Sequence, residues 1–127
     1  MIDRFHHIYI RATHFERSLA FYRDTLGWSV TRTWGGDGEA QGAILSGGGI
    51  KVVVTEGGKG LNGSSEGPGV FLDIHDIDAR FKAIPQGDHV VTAPSATPWG
   101  TRWFVLKDPD GNQIAFEEVH SFHRNRG

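Results

Sequence analysis

The chain has 127 residues, of which 38% are hydrophobic and 22% charged, and its formal net charge is −2. This length fits one domain with a hydrophobic core, and the composition excludes a wholly disordered protein. The lack of cysteine excludes disulfides and thiolate chemistry, and so small a charge gives no bulk attraction to nucleic acid or anionic membranes. There is no apolar run long enough for a signal peptide or a membrane span, which indicates a cytoplasmic protein.

The first half of the chain predicts the element order β-α-β-β-β. Residues 5–12 alternate between apolar and polar side chains, as a strand does, and Thr13 and Glu16 have the spacing of a helix capping box. Apolar residues then recur at helical spacing, at Phe15, Leu19, Tyr22 and Leu26, with Gly27 placed to end the helix. Three further strands are predicted at 28–34, 41–45 and 50–56.

The second half predicts the same order again. Residues 69–75 alternate like the first strand, and Asp76 is placed to cap a short helix that Pro85 stops. Strands are expected near 89–92, 102–106 and 113–118, and a turn at 108–112 (DPDGN) joins the last two. The chain therefore divides into module one (1–56), a linker (57–69), module two (70–119) and a C-terminal tail (120–127).

Glycine is the one composition outlier, with 18 residues. Residues 57–69 hold six glycines and one proline in 13 positions, which predicts a flexible connection. Smaller clusters at 35–38 and 47–49 are typical of turns between strands.

Each module is predicted to be a sheet with one helix on one face, which makes the fold class α+β. The opposite sheet faces mix aromatic and polar side chains, as a small-molecule pocket requires. A solvated sheet face alternates in the same way, so the pattern leaves both interpretations open. Residues expected on these open faces are His7, Tyr9, Arg11, Lys51, Val53, Thr55, Phe71, Asp73, Ala115 and Glu117.

Three stretches resemble the vicinal oxygen chelate superfamily, the group of glyoxalases, bleomycin-resistance proteins and extradiol dioxygenases. They are 7–11 (HIYIR), 17–27 (RSLAFYRDTLG) and 99–102 (WGTR) running on to 108–112. The resemblance implies paired βαβββ modules whose mixed sheets curve round a shared cavity, in a homodimer that could exchange modules between chains. It specifies the scaffold and not the chemistry.

The resemblance also implies four metal-ligand positions, which fall here on His7, Lys51, Gly69 and Ala115. A charged lysine has no lone pair, and glycine and alanine carry no ligand atom, so only His7 survives as a ligand. No metal or other cofactor is therefore expected. A shifted register would offer His7, Asp73 and Glu117 as an unorthodox triad, and a divalent metal would belong to that alternative.

For a chain without a metal, the resemblance implies the bleomycin-resistance type of the superfamily, a dimer that sequesters an aromatic or peptide-like compound. Flat apolar walls are available here from the side chains of Tyr9, Trp34, Phe71, Trp99 and Trp103. Polar groups that could orient a ligand are Arg11, Arg102, Asp73 and Glu117. Plain packing is an equal alternative for Trp28 and Trp103, whereas Trp99, between Pro98 and Gly100, is the better pocket residue.

The first hypothesis is thus a metal-free protein that binds a small aromatic or drug-like molecule. Its predicted ligand-binding residues are His7, Tyr9, Arg11, Trp34, Lys51, Val53, Phe71, Asp73, Trp99, Arg102, Ala115 and Glu117. The second is a metal-dependent lyase, isomerase or dioxygenase of the glyoxalase type, and a third is a structural or regulatory partner with an empty cavity.

A metal-free catalytic role also stays open, with His7 and Glu117 as the candidate catalytic residues. His7, with Tyr9 and Glu117 near it, could act as a general base. His6 is expected to face away from His7, since neighbours on a strand point to opposite sides.

Overall fold

A computed structural model describes residues 1–57, 60, 62–63 and 67–118, and the predicted tail lies outside the described residues. The chain forms two compact units, Met1–Asn62 and Gly63–Gly127. Each unit contains one four-stranded mixed sheet within its described part, and the predicted β-α-β-β-β order is confirmed in both.

The first unit contains four strands and one helix. They are β1 (Ile8–Arg11), α1 (Phe15–Ala20) with a π-helical continuation (Phe21–Thr25), β2 (Ser29–Gly36), β3 (Glu39–Ser46) and β4 (Lys51–Thr55). The strand order is β1-β4-β3-β2, with β1 parallel to β4 and the other pairs antiparallel.

The second unit repeats this arrangement. Its elements are β5 (Val70–Asp73), α2 (Ile77–Lys82), β6 (Val90–Ala96), β7 (Arg102–Lys107) and β8 (Gln113–Glu118). The strand order is β5-β8-β7-β6, and β5 runs parallel to β8.

The core of each unit lies between its helix and one sheet face. In the first unit, the four helical-spaced residues Phe15, Leu19, Tyr22 and Leu26 are all buried, as predicted, against strand residues such as Val54. Burial of such side chains contributes about 1.5–3 kcal/mol each. In the second unit, buried residues of β7 and β8 form the base under α2, and they are Phe104, Leu106, Ile114 and Phe116.

The predicted capping box at the start of α1 is wrong. The N-cap residue is His14, in an extended conformation, and its side chain makes no capping hydrogen bond. Thr13 lies one residue earlier, and its hydroxyl instead accepts a hydrogen bond from Asn62 Nδ2 at 3.2 Å. At the other end, Gly27 follows the C-cap residue with a φ of +79°, which confirms its predicted role.

The predicted cap of α2 is confirmed. Asp76 Oδ1 accepts a hydrogen bond from the Ala79 amide at 3.1 Å. Glu118 of β8 accepts a second one from the Ile77 amide at 3.2 Å, so the sheet also binds the first turn of the helix.

The predicted glycine turns are confirmed, but the described part of the linker is not free of unit one. Asp37 and Gly38 both have positive φ in the two-residue loop between β2 and β3. Gly60 lies so close to β1 that an added Cβ would be 2.8 Å from the Tyr9 carbonyl oxygen. Asn62 Nδ2 donates to the Arg11 carbonyl at 2.7 Å. Gly60 and Asn62, which belong to the predicted linker, therefore contact β1 and its last residue.

Within the described residues, neither helix is both long enough and apolar enough to cross a membrane.

Candidate functional site

Three aromatic side chains gather on the face of the second sheet that is turned away from α2. Phe71 on β5 and Trp103 on β7 are stacked, with centroids 6.3 Å apart and planes inclined by 23°. Trp99, in the loop before β7, meets Trp103 edge-on with centroids 5.3 Å apart. Phe71 and Trp99 are each 53% exposed. We call Phe71, Trp99 and Trp103 the ring cluster.

Two hydrogen bonds hold the carboxylate of Glu117 in place beside the ring cluster. Glu117 on β8 pairs with Trp103 in the antiparallel register, and its Oε2 accepts a hydrogen bond from Trp99 Nε1 at 2.5 Å. The Thr101 hydroxyl donates to the same oxygen. Two charge-assisted donors on one oxygen fix the position of the carboxylate.

The loop that supplies these two donors is itself closed by hydrogen bonds. The Thr101 amide donates to Thr97 Oγ1 at 2.9 Å, and the Thr97 amide donates to the Thr101 carbonyl at 2.8 Å. Both threonines are buried. The two buried threonines therefore hold this turn in one conformation, in which the side chain of Trp99 is exposed to solvent.

Two further predicted residues lie in register with the ring cluster. Asp73 pairs with Glu117 across β5 and β8, and its side chain is exposed. Ala115 pairs with Phe71 on one side and Val105 on the other, and it has no exposed surface. Ala115 is therefore a buried position of the strand beside the rings.

Arg102, a predicted ligand-binding residue, lies apart from the ring cluster. Its guanidinium bonds the Asp78 carboxylate of α2, with Nη1 and Oδ2 2.8 Å apart. Because Trp103 faces the open side of β7, its neighbour Arg102 must face the helix side. The hydrogen bond from Arg102 holds the pKa of Asp78 below its usual value of 3.8.

The open face of the first sheet carries a separate set of the predicted residues. Tyr9 pairs with Val53, and its hydroxyl lies 3.3 Å from the Thr55 hydroxyl. Trp34 pairs with Gly42, and its indole lies so close that an added Cβ would be 2.2 Å from the ring. Lys51 and Val53 are half-buried on this strand face.

Arg11 on the first sheet is held by a residue of the glycine-rich stretch. Its Nη2 donates to Asn62 Oδ1 at 3.0 Å, while Asn62 Nδ2 binds the Arg11 carbonyl. The guanidinium is therefore held in place on the first sheet.

His7 lies just before β1 and is exposed. Its Nδ1 is 2.6 Å from the Nδ1 of His6, and the two rings meet edge-on. The prediction that His6 faces away from His7 is wrong, because the alternation of a strand begins only at Ile8.

Known proteins share the fold described above. The family model of the Glyoxalase/Bleomycin resistance protein/Dioxygenase superfamily matches residues 4–116. The chain belongs to this superfamily. The resemblance in the sequence is thereby confirmed, and so is the α+β fold of two mixed four-stranded sheets.

Two curated relatives are similar to part of this chain. Uncharacterized proteins of Mycobacterium bovis and Mycobacterium tuberculosis are each 34% identical over 91 residues, or 64% of this chain. The matched region spans 60% of the first relative and 54% of the second.

Solved structures show the same fold. TioX from Micromonospora sp. ML1 has a TM-score of 0.70 and 22% identity, over 89% of this chain and 98% of its own. TnmS3, an antibiotic binding protein from Streptomyces sp. CB03234, has a TM-score of 0.68 and 22% identity, over 92% and 96%. A superfamily member from Sphaerobacter thermophilus has a TM-score of 0.66 and 27% identity, over 92% and 98%.

The four positions at which the resemblance predicts metal ligands carry side chains that do not fit a divalent metal. In the first unit these positions are His7, which contacts His6, and Lys51, whose ammonium has no lone pair. In the second unit they are Gly69 and Ala115, which have no donor atom. Among the described residues, no group of three or more His, Asp or Glu side chains could hold a metal ion.

Two residues that shape these faces carry no local sequence signal for their roles. The hydroxyl of Thr101 holds Glu117 in place. The side chain of Asn62 positions Arg11. The alternation of β8 predicts that Glu117 lies on the open face, but no such period extends into the loop that carries Thr101.

Proposed function

We propose that this protein binds a small aromatic or drug-like molecule, without a metal, on the face that carries the ring cluster. The observation that supports this proposal is the exposure of Phe71 and Trp99 beside Trp103 and the fastened Glu117. Each 100 Å² of ring surface that a ligand covers favours binding by about 2.5 kcal/mol of transfer free energy, from which the entropic cost of association is subtracted. A planar ligand can stack on these rings because offset stacking adds to that burial.

The comparisons support binding of a small molecule, without naming the ligand. TnmS3 is an antibiotic binding protein and shares the fold, and the superfamily that includes this chain takes part of its name from bleomycin resistance. The donor set at the superfamily's metal positions favours binding over metal-dependent chemistry in this chain.

The test uses metal-stripped protein and a panel of planar aromatic compounds, with affinity measured by calorimetry and thermal shift. We expect binding without added metal, and the double variant Phe71→Ala/Trp99→Ala should weaken it about tenfold or more. Phe5→Ala removes an exposed aromatic side chain that precedes β1, outside the ring cluster and β2, and serves as the matched control.

Two results would contradict the proposal. One is an absence of binding by every aromatic compound in the panel. The other is one tight equivalent of nickel, zinc, manganese or iron(II) per chain that is lost in His7→Ala, which would favour the metal-dependent lyase, isomerase or dioxygenase.

We also propose that the protein is a cytoplasmic homodimer. Every residue of β2 is exposed or half-exposed in the single chain, including Val30 and Trp34, and a second copy could cover such a strand. Light scattering of the purified protein tests the dimer, and a monomer at micromolar concentration would contradict it.

A further inference from the structure

We infer that the molecule bound at the ring cluster is a planar aromatic cation, whose positive group lies against the Glu117 carboxylate. This inference rests on the proposed function and names the charge of its ligand. It follows from the second sheet alone.

The Glu117 carboxylate has one oxygen occupied and one available. Both donors, Trp99 Nε1 and the Thr101 hydroxyl, bind Oε2. Within the described part of the chain, Oε1 receives no hydrogen bond. Glu117 is half-buried, so a ligand that covers the ring cluster removes part of the water around this anion. A ligand with a positive or N–H-rich group replaces the lost hydrogen bonds to water with its own contacts to the carboxylate. A ligand without such a group, or with a negative charge, does not.

Two charged side chains that the described strands place in register with the ring cluster are negative. Asp73 pairs with Glu117 across the sheet, so two carboxylates lie on neighbouring strands of one face. Of the described cations of this unit, Arg102 and Arg80 are engaged and Lys107 is distant. Arg102 pairs with Asp78 on the helix side, and the Arg80 guanidinium lies 5.4 Å from the centroid of the Phe116 ring. Lys107 ends β7 four residues beyond Trp103, about 13 Å along the strand.

The rings favour the same ligand charge as the carboxylates. The face of an indole or phenyl ring attracts a cation through its quadrupole, most strongly for tryptophan. Phe71 and Trp99 expose about half of their surface, and Trp103 lies between them. Stacking and charge therefore act together on a flat, positively charged ring system.

The test uses three acridines of similar shape and different charge at neutral pH. They are 9-aminoacridine, a cation; acridine, which is neutral; and acridine-9-carboxylate, an anion. We expect 9-aminoacridine to bind about tenfold more tightly than acridine, and the carboxylate to bind most weakly. The difference should shrink in high salt, because screening weakens the contribution of charge.

Two variants test whether the preference for a cation comes from the Glu117 carboxylate. Glu117→Gln keeps an oxygen that can accept from Trp99 and Thr101 but removes the negative charge, so it should bring the cation and neutral acridine within about twofold of each other. The circular dichroism spectrum of the variant shows whether it is folded, so that the ratio of the two affinities reports the charge and not the fold. Glu39→Gln, at an exposed carboxylate of β3, is the matched control and should keep the full preference.

Each outcome decides between the inference and the proposed function. Equal binding of the three acridines, or a cation preference that survives Glu117→Gln, would overturn the inference and leave aromatic binding intact. Failure of all three acridines to bind would overturn the inference, and the proposed function would be overturned with it only if every other compound of the aromatic panel also failed to bind.

Discussion

Small side chains make room for large ones on the open face of the first sheet. Trp34 lies flat against Gly42, where an added Cβ would be 2.2 Å from the indole. Any larger residue at position 42 would push this ring off the sheet, because the atoms that it would meet belong to a rigid indole. The place of a predicted ligand-contacting tryptophan thus depends on a residue that has no side chain.

Ser18 is the buried side chain of α1 whose polar atom is not satisfied. It has no exposed surface, and its Oγ has no hydrogen-bond partner among the described residues. Ser18→Ala removes an unsatisfied hydroxyl and improves helix propensity, so we expect the free energy of unfolding to rise by about 0.5–1.5 kcal/mol.

Urea denaturation of the wild type and Ser18→Ala measures this change. Ser18→Val, which adds a methyl group to a closely packed site, should instead lower stability. A loss of more than about 1 kcal/mol in Ser18→Ala would show that the hydroxyl is satisfied in the folded protein.

At the scale of elements, α2 is attached to its sheet by polar contacts as well as by its apolar face. Glu118 binds the Ile77 amide at the first turn, and Asp78 bonds Arg102 of β7. The second contact lowers the pKa of Asp78 in the folded state, so it stabilises the fold only where Asp78 is ionised.

The sign of the resulting pH dependence follows from that shift. We expect the stabilisation by Asp78 to be complete above its unfolded pKa and to disappear as the pH falls through the lower folded pKa, below 3.8. Near pH 7, Asp78→Asn should therefore be less stable than the wild type, and the two should converge in acid.

Urea denaturation from pH 7 down to pH 2.5 tests this expectation, with Asp88→Asn as a control at an exposed loop carboxylate. A gap between Asp78→Asn and the wild type that stays constant over the whole range would contradict it.

At the scale of the whole molecule, the glycine-rich stretch is part of the boundary between the two units. Unit one ends at Asn62, whose side chain binds the Arg11 carbonyl, the Arg11 guanidinium and the Thr13 hydroxyl. Asn62→Ala removes all three bonds. We expect it to lower the free energy of unfolding by about 1–2 kcal/mol.

Chemical denaturation measures the loss, and amide exchange at residues 11–13 shows whether it is local. Asn62→Asp is the matched variant, because it keeps an acceptor for the guanidinium and loses only the amide donor. If Asn62→Ala were as stable as the wild type, the three contacts would not contribute in solution.

Much of this fold could be predicted from local patterns. The alternation of residues 5–12 and 69–75, the helical spacing of Phe15 to Leu26 and the cap at Asp76 all gave the correct element type. These signals work because burial of one strand or helix face imposes a period on nearby residues. The capping box at Thr13 failed because its hydroxyl has a partner 49 residues away.

Local sequence patterns are sufficient to predict the element order, the repeated module, the superfamily and the candidate faces, since each depends on residues close together in the chain. The tertiary structure decided which side chains meet: Trp99 and Thr101 on Glu117, Arg102 on Asp78, and Asn62 on Arg11. Those contacts join residues 16 to 51 positions apart. No local period encodes them, because they depend on strand register and on the path of a loop.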